Sequence, residues 1–485
     1  MSMDDLPPPL QLEILNRLID STDLARCRLA SKTLKSLSYE VRSLAFTCSF
    51  DRYLRSRIPA SQTLPTTPFK SIVKDNFLRT SNTLESVSLA VDKPSCDTFE
   101  YDDAEDEFDD LHLTSVGFVS QWLPEVAGRL KSLSISDFWI QSCWRKSNVL
   151  AIISSFCEWF CNSPSLRDNS LLNLELKNAW LSVEGLKPMP NLISLTLEFI
   201  RLDDEDLNKV NECFPCLQVL NLIGVGGFGE PKIQLLQLKT CHWMVSNAPR
   251  CLAIHAPSLI DLKLKCIKPD IVVLKAPLLS NLDLSIEKPN LGLELGRFPK
   301  LRSLRIESSD PRTLVQVFSD GGTVEKLLLE APKPADSFES REMIEFRSLM
   351  TTFANVESVV LGPWIYFELE QSFESEDPNV HFGWKNLKKV TLYLVLSKLE
   401  VTLSFMSFMF ERCPALCYVA MLFHLDVVDA VKNRLISRCV HDWPRVGWRW
   451  GMWKEGKKDT WLCDGFYPRQ LPQPTRFEAD FESPV

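Results

Sequence analysis

Residues 259–264 read Leu-Ile-Asp-Leu-Lys-Leu, residues 279–284 Leu-Ser-Asn-Leu-Asp-Leu, and residues 301–306 Leu-Arg-Ser-Leu-Arg-Ile; residues 324–329 follow as Val-Glu-Lys-Leu-Leu-Leu. Each is apolar-x-x-apolar-x-apolar. Pro257, Pro277 and Pro299 stand two residues ahead of the first three. The last two apolar positions are two apart, so on a strand they face one way and their neighbours face the other. The copies start at 259, 279, 301 and 324, giving steps of 20, 22 and 23 residues. That period is the length of a leucine-rich repeat, in which each unit covers the apolar face of the next.

The same pattern extends in both directions. Upstream it reads Leu84/Val87/Leu89, Leu130/Leu133/Ile135, Leu171/Leu174/Leu176, Leu192/Leu195/Leu197 and Leu217/Leu220/Leu222, with a weaker copy at Ile233/Leu236/Leu238. Downstream it reads Val356/Val359/Leu361, Leu387/Val390/Leu392 and Leu416/Val419/Met421, at steps of 32, 31 and 29 that leave room for an outer helix. Stacked, the copies predict a parallel inner sheet over a continuous leucine core. Outward positions are polar in the first half (Ser134, Glu175, Thr196, Lys263, Asp283, Arg305) and turn apolar late, at Leu328, Val360, Tyr393, Tyr418 and Leu422. An apolar cluster on an inner sheet is a candidate target-binding patch, unless the C-terminal tail folds back over it.

Ahead of the repeats lies a different pattern. Pro7, Pro8 and Pro9 suit a helix entrance, and Leu10, Ile14, Leu15 and Leu18 then share one helical face. Ser21, Thr22 and Asp23 are cap-type residues, Ser31 is another, and Leu34, Leu37, Val41 and Leu44 follow at helical spacing. Helices this short cannot stand alone. Burying an aliphatic side chain gains ~1.5–3 kcal/mol, while ordering each residue costs ~1–2. A partner or the domain behind must cover part of their surface.

The order Leu-Pro, Ile-Leu with Leu a turn later, Asp-Leu, a small residue and Ser-Lys over residues ~4–45 resembles the F-box. The repeats resemble those of plant-type F-box/leucine-rich-repeat proteins. The fold this implies is an α/β leucine-rich-repeat solenoid, with a parallel inner sheet and an irregular helical outer side, preceded by a small three-helix F-box. The resemblance also implies a substrate-recognition subunit of a Skp–cullin–F-box ubiquitin ligase. Its head would bind the Skp-family adaptor, and through it a cullin, by Leu6, Pro7, Ile14, Leu15, Leu18, Leu24, Leu29 and Leu34. Leu34 stands where the family often has Trp, which removes aromatic anchor area. The alternatives are a repeat scaffold outside any ligase, or a small-molecule receptor of the same family type.

The expected boundaries are 1–46 for the F-box, 47–80 for a connector with one short helix from Phe69 to Leu78, and 81–430 for the solenoid. Residues 431–465 make an aromatic and basic capping segment, and 466–485 an extended tail. Residues 100–110 hold eight acids in eleven residues and read as a solvated loop, as does Phe367 to Asn379. Trp443, Trp448, Trp450, Trp453 and Trp461 crowd the capping segment among Lys and Arg. Those rings either shield the last repeat or offer a stacking surface.

The totals narrow the function classes. Net charge is −9, which disfavours general nucleic-acid binding. Apolar content of 45% and charged content of 24% are those of a globular chain. No secretory signal or spanning run is read, and the fifteen cysteines form no framework, so reduced thiols in the nucleus or cytoplasm are expected. Cys213-Phe214-Pro215-Cys216 has zinc-pair spacing without a second pair, and Gly226-Gly227-Phe228-Gly229 lacks the phosphate-loop Lys. The chain is therefore expected to need no metal or cofactor, to carry no catalytic residues and to engage no membrane.

Overall fold

The computed structural model describes residues 6–49, 67–80, 83–92, 111–138, 145–161, 171–245, 249–287, 289, 292–318, 321–333, 344–373, 383–395, 399–457 and 459–461, without the side chains of 158–161. The acidic run 100–110, the later half of the second acidic stretch and the tail from 462 lie outside these residues. The chain forms two compact units: Met1–Leu279 with Gly292–Gly296, and Ser280–Leu291 with Arg297–Val485.

The first unit opens with three helices, α1 (Pro8–Arg17), α2 (Ser21–Ala30) and α3 (Lys32–Leu37). Proline fills the first turn of α1, where a backbone N–H has no helical acceptor. The Asp20 side chain accepts from the Thr22 N–H at 2.7 Å and caps α2. Ser31 caps α3 by accepting from the N–H groups of Thr33 and Leu34. The helical spacing read through Leu44 stops short, because α3 ends at Leu37. From Ser43 the burial alternates every second residue, with Leu44, Phe46 and Cys48 inward, which is the period of a strand.

That strand, β1 (Ser43–Cys48), is the first rung of a parallel sheet. It is followed by β2 (Ser86–Val91), β3 (Ser132–Ser136), β4 (Asn173–Lys177), β5 (Ser194–Glu198), β6 (Val219–Val225), β7 (Thr240–Val245) and β8 (Asp261–Cys266), paired in that order. The register carries one core row through Leu44, Val87, Leu133, Leu174, Leu195, Leu220, Cys241 and Leu262. A second row, two residues on, runs from Phe46 to Leu264 through Trp243. So the ladder begins inside the span read as the head, before Leu84. The weaker copy read at Ile233/Leu236/Leu238 is also corrected: the rung there is Leu238/Cys241/Trp243, and Leu236 faces solvent.

Behind β1 to β3 lie α4 (Phe69–Thr80) and α5 (Val116–Val126), and α6 (Val149–Cys161) follows. Phe46, Phe77 and Trp122 make the core between sheet and helices, with ring centroids 5.4 and 4.8 Å apart. Further on, α7 (Asp204–Cys213) begins with a reciprocal cap between Asp203 and Asp206. Beyond it the outer side is not helical. It is a four-stranded parallel sheet in the order Gly292–Leu295, Ile271–Lys275, Cys251–His255, Lys232–Gln234. The repeats that begin at Leu217, Leu238, Leu259 and Leu279 are only 20 to 22 residues long and have space for a second strand rather than a helix.

The second unit carries β9 (Asn281–Ile286), β10 (Ser303–Glu307), β11 (Lys326–Glu330), β12 (Ser358–Leu361), β13 (Lys389–Leu394), β14 (Tyr418–His424) and β15 (Gly447–Trp453), again parallel. A two-residue strand, β16 (Thr460–Trp461), closes the edge antiparallel to β15. The 23-residue repeat from Leu301 carries a short helix, α8 (Pro311–Val317), and the longer repeats after it carry α9 (Phe346–Thr352), α10 (Pro363–Ser372), α11 (Leu399–Arg412) and α12 (Asp429–Asp442). Two readings change here. Glu368 and Glu370, read as loop acids, are buried on α10, whose Ile365, Tyr366 and Leu369 pack inward. The Tyr366 and Thr402 hydroxyls donate to Glu370 Oε1 at 2.5 and 2.6 Å, and burial raises that carboxyl above its ordinary range. The Trp-rich segment supplies a further rung, with Trp448, Trp450 and Trp453 buried on β15.

Candidate functional site

Two surfaces carry the residues that the sequence singles out. The first is the head. Leu15, Leu24 and Leu34 are its own core, buried where α1, α2 and α3 meet β1. They cannot touch a partner as the head stands. Pro7, Ile14 and Leu29 face solvent, and Leu6 and Leu18 are half-buried. Leu10 and Ile19, not among the predicted contacts, are also exposed, Ile19 at 54% and Leu29 at 90%. Four large aliphatic side chains stand in the open within twenty residues of chain and make the head a candidate docking surface. Leu34 is buried, so the aromatic area missing at this position is missing from packing inside the head.

The head is stitched to the first rung. The Ala45 N–H donates to the Ile19 carbonyl at 2.9 Å, and the Arg42 N–H to Asn16 Oδ1 at 2.9 Å. Arg28 ties α2 to α4. Its Nε donates to Ser38 Oγ at 2.8 Å, its Nη1 to Asn76 Oδ1 at 2.7 Å, and its guanidinium lies 4.6 Å over the Tyr39 ring. Burial, with Arg79 nearby, lowers its pKa. The head is thus held on the sheet by side chains spread over the first eighty residues, and its exposed aliphatics are presented from a fixed base.

The second surface is the inner face of the second unit. The register sorts the predicted patch into rows. Arg305, Leu328, Val360, Thr391, Ala420 and Arg449 form one row, while Glu307 and Glu330 lead another that holds Tyr393, Leu422 and Gly451. Tyr418 lies in a third row beside Lys389, whose Nζ sits 5.5 Å from the tyrosine ring. So the five residues are not one cluster: Leu328 pairs with Val360 and Tyr393 with Leu422. Leu328 and Leu422 are buried, and Val360, Tyr393 and Tyr418 are half-buried.

Charge dominates the first end of this face. Arg305 Nη2 meets Glu330 Oε2 at 2.5 Å, and Asp283 and Glu307 lie 3.4 Å from the same guanidinium. Burial opposes the charge, but Glu330 and then Asp283 and Glu307 hold it above its ordinary value. At the other end the chain covers itself. The Tyr393 hydroxyl donates to Asp459 Oδ2 at 2.7 Å, and burial and that carboxylate push the phenol far up. Trp461 stacks 3.8 Å from the Arg449 guanidinium. A C-terminal segment folded back over the patch is the alternative the sequence left open; the particular pairing of Tyr393 with Asp459, 66 residues away, could not be read from it.

The remaining candidates are structural. Cys213 ends α7 with its thiol toward the Leu186 carbonyl, and Cys241 is in the core row of β7, where burial pushes its thiol up to about 12. Among the described residues no group of three or more His, Cys, Asp or Glu is placed to hold a metal, and no helix is long and apolar enough to cross a membrane. Gly227 turns with φ +104°, where a Cβ would meet the Leu202 carbonyl at 2.3 Å, so it serves the turn between rungs.

No family model matches the chain. A protein of Arabidopsis thaliana named as an F-box/LRR-repeat protein is 44% identical to it over 468 residues, covering 95% of this chain and 100% of the relative.

Proposed function

We propose, from the premise that this chain belongs to the F-box/leucine-rich-repeat protein family, that it is a substrate-recognition subunit of a Skp–cullin–F-box ubiquitin ligase. The head docks the Skp-family adaptor, and through it a cullin. The repeats hold a target protein, in the nucleus, the cytoplasm or both. The chain makes and breaks no bonds itself. It raises the effective concentration of target lysines near the ubiquitin donor, and proximity does the rest.

One observation carries this reading: Leu10, Ile14, Ile19 and Leu29 are exposed on a head otherwise packed around Leu15, Leu24 and Leu34. A monomer gains nothing by leaving such groups in water, whereas burying them against a partner stabilises a complex by up to ~1.5–3 kcal/mol for one as open as Leu29, and by less for Ile14, which is 38% exposed. Interfaces of this kind rest on a few central apolar anchors. Immobilised full-length chain should capture a Skp-family adaptor and a cullin together from purified subunits. Ile14→Asp with Leu29→Asp should abolish both captures while leaving the melting temperature within a few degrees. Capture of neither subunit by the unmutated chain would favour a scaffold outside the ligase.

A further inference from the structure

Residues 459–461 lie edge-on to β15 and send the Asp459 and Trp461 side chains over the inner face of their own unit. Residues 454–457 turn away from the strand, and the chain returns antiparallel, with Thr460 opposite Met452 and Trp461 opposite Gly451. Asp459 accepts the Tyr393 hydroxyl, and the Trp461 indole lies against Arg449. Its floor is Gly451. A Cβ there would stand 3.0 Å from the indole Cε3, 3.2 Å from the Thr460 carbonyl oxygen and 3.3 Å from Leu422 Cγ. So the face offers a hydroxyl for a carboxylate, a guanidinium plane for an aromatic ring, a side-chain-free slot between them, and a strand edge for the backbone.

We propose that this end of the inner face is a docking slot for an extended peptide, with an acidic residue two positions ahead of a tryptophan. Residues 459–461 occupy it as an internal surrogate. The peptide joins β15 by strand addition, a recognition mode in which the backbone supplies affinity and alternate side chains supply choice. The surrogate is lightly held. Among the described residues, two of the seven residues of β15 pair with it, Thr460 is exposed, and Asp459 and Trp461 are half-buried. A segment held this way yields to a competitor of the same chemistry. The slot deepens the ligase reading and rests on it in one respect: that reading makes the owner of the peptide the target.

The test is fluorescence anisotropy of a labelled peptide with the sequence of residues 456–462, Gly-Lys-Lys-Asp-Thr-Trp-Leu, titrated with the full-length chain. Asp459→Ala with Trp461→Ala empties the slot, and this variant should bind the peptide at least tenfold tighter than the unmutated chain. On that background Tyr393→Phe, which removes one hydroxyl, and Gly451→Leu, which fills the slot, should each weaken binding at least tenfold. A peptide with Asp and Trp exchanged should bind as weakly. Equal binding to both forms of the chain, no binding to the emptied form, or indifference to Tyr393→Phe overturns the proposal. Tyr393→Phe decides if Gly451→Leu melts early. No adaptor is present, so peptide binding without adaptor capture would sink the ligase reading and leave the slot standing. The converse result would sink the slot alone.

Discussion

Asp137, just after β3, has its carboxyl fully buried. It accepts from the N–H groups of Leu113 and Thr114 and from the Thr114 hydroxyl, closing the segment ahead of α5 onto the sheet. Burial pushes its pKa up to about 7, against the hydrogen bonds and the charge of Lys70. A carboxyl raised in the folded state keeps its proton longer there than in the unfolded chain. Its contribution is therefore full below about pH 4 and declines as pH rises through 7. Between pH 5.5 and 7.5 this one group should remove about 2 kcal/mol of stability. Denaturant unfolding of Asp137→Asn should show a correspondingly flatter pH dependence than the unmutated chain; equal slopes would contradict the assignment. The sequence marks Asp137 in no way, because its role depends on Leu113 and Thr114, more than twenty residues away. The core leucines were legible, since a period of two names both the buried and the facing positions. Which head residues face outward was less so. Leu15, Leu24 and Leu34 look alike in sequence to Ile14 and Leu29, and only the meeting of three helices with β1 separates them.

At the scale of elements, the ladder was legible wherever leucine marks both core rows, and it failed where other residues fill them. In β7 those positions are Cys241 and Trp243, so the eye settles on Ile233, Leu236 and Leu238 instead. The corrected register makes opposite predictions for two substitutions. Cys241→Asp buries an unpaired charge and should cost more than about 3 kcal/mol. Leu236→Asp, on an exposed loop position, should stay within about 0.5 kcal/mol. Thermal unfolding of the two variants tests the register, and the reverse order would restore the rejected one. The Trp rung of β15 escaped for the same reason, since its core residues are indoles. The strap from Asp459 to Trp461 is a different case. Its two paired residues and the Tyr393–Asp459 hydrogen bond gain roughly 0.5–1.5 kcal/mol each and its cation–π contact roughly 0.5–1, a total close to the ~1–2 kcal/mol per residue needed to order three residues. An element so balanced has no sequence signal of its own.

At the scale of the molecule, each unit is a stack of rungs in which the apolar face of one repeat is covered by the next. This architecture uses its residues for packing and presentation. The first unit presents a helical head from a base fixed by Arg28, Asn16 and Ile19, and the second presents an inner face ordered by charge at one end and aromatic groups at the other. In the proposed function the exposed aliphatics of the head form the adaptor interface. Isothermal titration of the full-length chain with a purified Skp-family adaptor tests it most directly. One-to-one binding is expected, weakened at least tenfold by Leu29→Asp in a chain whose melting temperature is unchanged. An absence of binding, or the same affinity in the folded Leu29→Asp variant, would contradict it.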